Sequence, residues 1–567
     1  MTARFRFHGG VGVVGSTKVE LEQDGWRVLL DMGDDIPGRE GLVRGPLRFT
    51  PGTELRTRLR LSEAPAIERL YRPEAVEGTG LEGGYDGRTA LFITHAHLDH
   101  VGLLGWVDPA VPVYGSEETV HLVDALEAVG QAMPGGTTSM QPLPEGERIE
   151  VGPFVVERWR VDHDVPGASG YLVHTDAGVL AYPGDLRLHG RHPELTERFA
   201  ERAHGAAALV MEGTTLSSDP RFTVRTESDV EAAFEAELRR TPGLVLLAAY
   251  PRDIERVTSF LEIAARCGRT IMWPPEMAAF LRAYGVDGIE DLDHAAVARD
   301  PARFVVQVEG NRFETLLDLP VGPGTSFLHA NGEPLGPFQP TWDMLQQWLQ
   351  RLQVPFKIIG TSGHATPHDL HRVVELIAPD VLYPLHTVEP TRLLPPPGTR
   401  RVLAEYGRWY EVGTQPVTRR RATVCVDLDS TLCDTSHRHH MVLDGEERVN
   451  TDWVAYSLAC ADDARIEGTC RLVRMLAKHY RIVLLSSRDA QARALTEAWL
   501  AEHAIPYDEL ILGDGTVGLE QFKAEHVARL IERGETVELV IDDLRTLPET
   551  LDPLGIPVLT VRPPYGE

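Results

Sequence analysis

Apolar and polar positions alternate over residues 18–21 and 26–30, on either side of Asp24-Gly25, and this pattern predicts a two-stranded hairpin. From there to about position 190, short apolar runs punctuated by glycine and proline predict strands and loops, with residues 90–94 as a buried strand. The period then changes. Residues 230–240, 254–267 and 276–284 carry helical spacing and alternate with apolar runs at 244–248 and 270–273. That order predicts a parallel sheet flanked by helices. Strand-like runs return at 356–360 and 381–384. Between them, Thr366, Pro367 and Asp369 can start a helix that places His368 and His371 on a solvated face. After a proline-rich stretch at 395–397 and the basic Arg419-Arg420-Arg421, a new α/β unit opens at Val424.

A chain of 567 residues is too long for one core. Its 43% hydrophobic and 25% charged residues are ordinary for a globular protein. The longest apolar runs, such as 482–485, are strand-sized, and residues 1–7 lack the apolar core of a signal peptide. Five cysteines (Cys267, Cys425, Cys433, Cys460, Cys470) form no CxxC pair, and their odd number points to a reducing cytoplasm. Fifty-six basic against 84 acidic residues leave a net charge of −28. That is not the footprint of a nonspecific nucleic-acid binder, so a polyanion would need a local attractor such as bound metal.

Gly10, Gly12 and Gly15 fit GxGxxG, with Asp31 where a ribose-binding acid could sit. A dinucleotide fingerprint must open a helix, whereas strands are expected here. The chemistry-bearing motif is instead His95-Ala96-His97-Leu98-Asp99-His100, directly after a buried strand. Three imidazoles and a carboxylate within six residues can face two neighbouring metal ions, and these ligand types suit catalytic zinc.

On this motif and those around it, residues 5–413 resemble the metallo-β-lactamase superfamily and, within it, the β-CASP nucleases of the ribonuclease J and mRNA 3′-end endonuclease kind. Asp31 in Leu-Leu-Asp-Met-Gly looks like the first family motif, His163 in His-Asp-Val-Pro-Gly like the third, and Asp185 in Tyr-Pro-Gly-Asp like the metal-bridging fourth. The candidate last metal histidine, His386, follows Asp185 by 201 positions, a gap that resembles a β-CASP insertion. Glu212 and His364 resemble that family's motifs A and B, and Ser362 beside His364 is a candidate substrate contact. Histidine at the position of His386 is associated in the family with RNA. The resemblance implies two zinc ions, with manganese as an alternative, held by His95, His97, Asp99, His100, His163, Asp185 and His386. His364 would act as general acid, oriented by Glu212, while Asp31 would support a ligand histidine. Arg252 and Arg256, one turn apart, could grip backbone phosphates or simply face solvent. His8, His189, His192 and His204 show no partner pattern.

Asp427-Leu428-Asp429-Ser430-Thr431, after the apolar 424–426, is the DxDxT signature of the haloacid dehalogenase (HAD) phosphatases. The resemblance covers residues 423–565, with Arg438, Asp452-Trp453 and Arg488, and is greatest to the 3′-phosphatase domain of phage polynucleotide kinases. It implies Asp427 as nucleophile, Asp429 as acid and base, and Thr431 and Ser486 beside the phosphate, with Arg488 among the catalytic residues and Arg438 contacting substrate. Lys523 supplies a balancing cation, and Asp542 and Asp543, with Asp427 and Asp429, are suited to magnesium. No GxxxxGK[ST] motif accompanies it.

The expected fold is therefore α/β and multidomain: an αββα metallo-β-lactamase domain (1–214 and 356–413) with a β-CASP α/β insertion (215–355), a linker (414–422), and a Rossmann-like HAD domain (423–567). The expected activity is a zinc nuclease acting on RNA in preference to DNA, coupled to a magnesium-dependent 3′-end phosphatase. A DNA-repair enzyme, a small-molecule metallohydrolase fused to a nucleotidase, and an inactive scaffold are the alternatives; the last would require missing ligands. The expected partner is nucleic acid, with no membrane and with a homodimer allowed.

Overall fold

The computed structural model describes residues 2–35, 49–50, 52–217, 225–308, 312–322, 324–332, 342–413, 422–441, 443–444, 447–448, 452–477, 480–513, 518–533 and 535–562. The expected linker, apart from Ala422, lies outside the described residues. Contacts divide the chain into Met1–Leu393 with Val402–Thr414, and Leu394–Arg401 with Gln415–Glu567.

In the first unit the N-terminal alternation becomes a hairpin, Val19–Gln23 against Trp26–Leu30, in the register Val19↔Leu30 to Gln23↔Trp26. Asp24 and Gly25 both take positive φ, which matches the turn to the right-handed twist of the strands. A mixed sheet continues from this hairpin through Thr89–Phe92, Val113–Gly115 and Met140–Pro142, and on the other side through Arg4–Phe7 and Trp409–Glu411. A second sheet carries, in order, Val381–Leu385, Ala208–Glu212, Gly178–Tyr182, Ser169–Thr175, Phe154–Arg160 and Arg148–Val151.

The two sheets bury one face against each other through Phe5, Phe92, Tyr171, Val173, Val210 and Tyr383. Because side chains alternate along a strand, their neighbours Leu172, Leu209, Met211 and Leu382 point the other way. There they meet Phe199 of helix Pro193–Arg202 and Val373 and Val374 of helix Pro367–Ile377. Thr366 caps the latter by accepting from the Asp369 amide. Helix Glu117–Ala128, inside the stretch expected to hold only strands and loops, covers the outer face of the first sheet with Leu122 and Leu126. Its start signal is Ser116, whose hydroxyl accepts from the Thr119 amide.

The inserted segment holds a six-stranded parallel sheet with Val245–Ala248 between Phe304–Gln307 and Ser326–His329. Phe356–Ile358 extends its edge by pairing with Ser326–His329, so the insertion runs past the expected boundary at 355. Arg256 corrects the sequence reading: neither solvent-facing nor free for phosphate, it is 1% exposed and bonded to Glu227. Arg187, also 1% exposed, donates to the same carboxylate at 2.7 Å and to Asp162 at 3.0 Å. Glu227 thus bridges two buried guanidiniums, and removing it leaves them facing each other with only Asp162 and Asp253 to offset their charge. Glu227→Ala is expected to cost about 3–5 kcal/mol, read as a fall in the urea midpoint of the first unit's transition. A midpoint within error of the parent would show that water relieves both arginines.

The second unit is three-layered. Its parallel sheet has the order Glu509–Gly513, Arg481–Asp489, Thr423–Val426, Val537–Asp542, Val558–Thr560. Val424 and Val426 face helices Glu467–Leu476 and Arg493–Glu502, while Cys425 faces Leu519–Glu532. The chain reverses its direction of strand addition between Thr423–Val426 and Val537–Asp542, and ligands of open α/β sheets bind at the carboxyl ends of strands at such a reversal. Among the described residues, no helix is long and apolar enough to cross a membrane.

Candidate metal centre

The strand Thr89–Phe92 delivers the His95–His100 motif to one end of the sandwich. His97 precedes a four-residue helix, Leu98–Val101, that carries Asp99 and His100. The loop after Trp26–Leu30 is fastened to this turn through its backbone: the Met32 amide donates to the His100 carbonyl at 2.7 Å, and Asp34 to Leu98 at 2.9 Å. Only glycine fits at 33, because a Cβ there would stand 1.6 Å from the Asp99 carbonyl oxygen. The glycine loop also belongs to this site and not to a nucleotide. The Gly10 carbonyl accepts from the His386 amide at 2.8 Å, and a strand, not a helix, follows the loop.

Two groups of side chains result. His95, His97, His163 and Asp185 form one, and Asp99, His100, Asp185 and His386 the other; within each, all ligand atoms lie within 4.8 Å of one another. Asp185 is common to both, with its Oδ2 3.2 Å from His100 Nε2 and 3.7 Å from His386 Nε2. The nitrogens turned away from the cluster are tethered. His95 Nδ1 lies 3.0 Å from the Thr94 hydroxyl, and His100 Nδ1 2.8 Å from Asp31. His163 Nδ1 lies 2.6 Å from the Gly363 carbonyl, and His386 Nδ1 2.8 Å from the Thr214 hydroxyl. Such tethers fix tautomer and ring orientation so that the other nitrogen faces a metal.

Asp31, itself at positive φ, accepts further bonds from the Thr94 amide and hydroxyl and from Tyr182. Burial, reinforced by neighbouring imidazoles, holds His95 well below its ordinary pKa, and burial brings His97 down to about 3. Neutral imidazole is the form that binds a cation. His100 Nε2 is buried without an aligned hydrogen bond. Two sets of four imidazole and carboxylate donors, joined by one carboxylate, fit a pair of zinc ions.

Beside this cluster, His364 Nδ1 stands 3.3 Å from Glu212 Oε1 and 3.9 Å from Asp185. Burial works against its charge, but the carboxylates of Glu212 and Asp185 outweigh it and raise His364 to about 9. Its turn is held by the Ser362 hydroxyl, which accepts from the His364 amide, and by His189 Nε2, 2.9 Å from the Ser362 carbonyl. His189 and His8, which showed no partner pattern in the sequence, are both buried and bonded, His8 to Glu20 at 2.7 Å. His368 is exposed on its helix, as expected. Thr94, Tyr182 and Thr214 went unnoticed in the sequence because hydroxyl tethers leave no spacing pattern.

A second constellation stands at the strand reversal of the other unit. Asp427, Asp542 and Asp543 bring carboxylate oxygens within 4.8 Å of one another. Lys523 Nζ lies 2.6 Å from Asp542 and 3.2 Å from Asp427. Burial, with Asp542 adding to it, pushes Asp543 up to about 6, and burial likewise raises Asp427. A cation among these oxygens would relieve that repulsion, and the donor set suits magnesium. Ser486 and Thr431 are fully buried, and among the described residues the Thr431 hydroxyl has no hydrogen-bond partner.

Asp429 departs from expectation as a magnesium ligand. Its carboxylate takes the Arg488 guanidinium at 2.7 and 3.0 Å and also bonds Arg438, so it is not in the acidic cluster. Burial opposes its charge, but the two arginines overcome this and bring it down to about 2. Arg438, expected at the substrate, is 1% exposed and shares Asp463 with Arg488, at 2.7 and 2.8 Å.

Residues 78–247 match the family profile of the β-lactamase superfamily domain. Ribonuclease J of Thermus thermophilus is 23% identical over 337 residues, covering 52% of this chain and 57% of that protein. The Mycolicibacterium smegmatis ribonuclease J is 25% identical over 55% of this chain and 53% of its own length. The chain thus spans little more than half of these relatives, but 88% of the Pyrococcus abyssi ribonuclease J, at 23% identity. A crystal structure of a protein of unknown function from Enterococcus faecalis V583 superposes with a TM-score of 0.61 and 30% identity, over 72% of this chain and all of that one.

Proposed function

We propose, for a chain that carries a metallo-β-lactamase-fold domain and has ribonuclease J among its homologues, that it hydrolyses phosphodiester bonds of RNA and removes phosphate from nucleic-acid ends. The observation that carries the first activity is Asp185 shared between two four-donor groups, with the His364–Glu212 pair beside it. A small-molecule hydrolase has no need of that pair or of the long insertion that separates its members.

His95, His97, His163 and Asp185 would hold one divalent ion, and Asp99, His100, Asp185 and His386 the other. When bound, such ions supply Lewis acidity and a water activated for attack at neutral pH. His364 gives its proton to the leaving oxygen, and Glu212 keeps the ring aimed and steadies its charge. Asp31, Thr94 and Thr214 hold the ligand rings in place.

In the second unit, which we assign to the HAD phosphatases, Asp427 attacks phosphorus and forms an acyl-phosphate bond as the ester bond breaks, and water then hydrolyses that bond, releasing inorganic phosphate and restoring the carboxylate. Magnesium at Asp427, Asp542 and Asp543 would offset phosphate charge, and Lys523 balances the carboxylates. Asp429 can serve the leaving oxygen only after it turns away from Arg438 and Arg488.

End-labelled RNA and DNA, each with a 3′-phosphate or a 3′-hydroxyl, incubated with zinc- or manganese-loaded protein test this reading. RNA should shorten, and magnesium should promote phosphate release from the 3′-phosphorylated strands. Cleavage of DNA alone would transfer the assignment to DNA processing. No cleavage of either would remove the nuclease assignment.

His364→Ala is expected to keep the parent's metal content and lower RNA turnover by about 10²–10⁴-fold. A diester with a 4-nitrophenolate leaving group needs no proton and should recover most of the rate. A variant as slow on that diester as on RNA would make His364 a structural residue.

A further inference from the structure

Of the two arginines one turn apart at the start of helix Ile254–Arg266, Arg256 is consumed by Glu227 and Asp253, whereas Arg252 is not. Arg252 is half-buried, and its Nη1 donates at 3.1 Å to the carbonyl of Ala96, the residue between His95 and His97. Among the described residues, no carboxylate pairs with it. Tyr250, two residues earlier in the same loop, sets its ring against His97 at 5.4 Å between centroids, with its hydroxyl close to the Arg252 guanidinium.

The strand Val245–Ala248 of the insertion therefore delivers a braced guanidinium to the rim of the metal cluster. The other arginines next to this loop are spent: Arg187 on Asp162 and Glu227, and Arg191 on Glu231 at 2.5 Å. A guanidinium has five N–H donors, and one backbone carbonyl and one phenol leave most of them unused. On a chain of net charge −28, a half-buried arginine with no carboxylate partner among the described residues keeps N–H donors open to an incoming anion.

We propose that Arg252, braced by Tyr250, binds a backbone phosphate of the substrate adjacent to the one being cleaved. The ligand is a phosphodiester oxyanion, which the fork of a guanidinium can take in bidentate fashion. This rests on the ribonuclease reading and extends it, because it makes the insertion itself a contributor to substrate grip. It also separates substrates by kind. A polynucleotide has a neighbouring phosphate to offer, and a small diester does not.

The test compares parent, Arg252→Ala and Arg252→Lys on an RNA oligonucleotide and on bis(4-nitrophenyl) phosphate, which has one phosphorus only. Arg252→Ala should raise KM for the oligonucleotide roughly 10- to 100-fold, the worth of a charge-assisted hydrogen bond. The effect on the small diester should be at least about tenfold smaller, and Arg252→Lys should fall between parent and alanine. In a His364→Ala background, which slows cleavage, binding of fluorescent RNA should show a plot of log affinity against log salt about 0.7 shallower for Arg252→Ala. Equal losses on both substrates would show that Arg252 acts through Ala96 on the metal ligands, and would overturn the proposal. So would RNA kinetics and a salt slope matching the parent. A parent that hydrolyses the small diester yet neither binds nor cleaves RNA would overturn the ribonuclease reading, and this proposal with it.

Discussion

Asp185→Ala is expected to abolish RNA cleavage and to leave phosphate release by the C-terminal unit unchanged. Asp185 Oδ2 approaches His95, His100 and His386, and it is the one carboxylate that both donor groups contain. Alanine removes a ligand from each group at once and leaves Asp99 as the one carboxylate among the remaining donors of the two groups. Elemental analysis should fall from about two ions per chain to one or none. The rest of the fold should persist, since Asp185 holds its place through the cluster and no hydrophobic contact is lost. Two ions per chain together with parent-like cleavage would refute the bridging role.

Asp427→Asn is expected to do the reverse. Asparagine keeps the shape of the side chain but lacks the anionic oxygen that would attack phosphorus. Release of phosphate from a 3′-phosphorylated strand should drop by on the order of 10⁵-fold or more, as when other covalent nucleophiles are removed. Lys523 keeps Asp542 as a partner at 2.6 Å, so the local structure should hold. RNA ending in a 3′-hydroxyl should be degraded at the parent rate. Phosphate release at the parent rate would show that another group attacks. The same variant decides whether the activities are coupled: stalling on 3′-phosphorylated RNA would link them, and equal degradation would leave them independent.

The parts of these sites legible in sequence were those packed into consecutive residues. His95 to His100 declare themselves because one strand end supplies four donors, and Asp427-Leu428-Asp429 does likewise. His163, Asp185, His364 and His386 stand alone in the chain, and only resemblance to a family groups them; no period or composition could. The strands at 19–30 and the helices of the insertion were legible because each buries one face.

What escaped the sequence was long-range charge pairing. Arg187, Glu227 and Arg256 look like surface residues until the fold buries all three, and nothing local says that Arg256 is spent while Arg252 is not. Asp429 escaped for the same reason: its partner Arg488 lies 59 positions away, on another strand. Phe356–Ile358 was placed after the insertion, although it pairs with Ser326–His329, because a short apolar run does not reveal which edge it will join.

The separation of the donors along the chain has a consequence for synthesis. The first four-donor group is complete once Asp185 has been made, but the second waits for His386, 201 positions later. The pair Glu212 and His364 is likewise split by 152 positions. At about 5–20 residues per second, a ribosome would carry the first group without its neighbour for roughly 10–40 s. During that interval a nascent chain can take up one ion but lacks its second ion site, and for most of it lacks its proton donor as well. Until His386 has been made, the growing chain therefore lacks the second ion site on which the proposed cleavage depends.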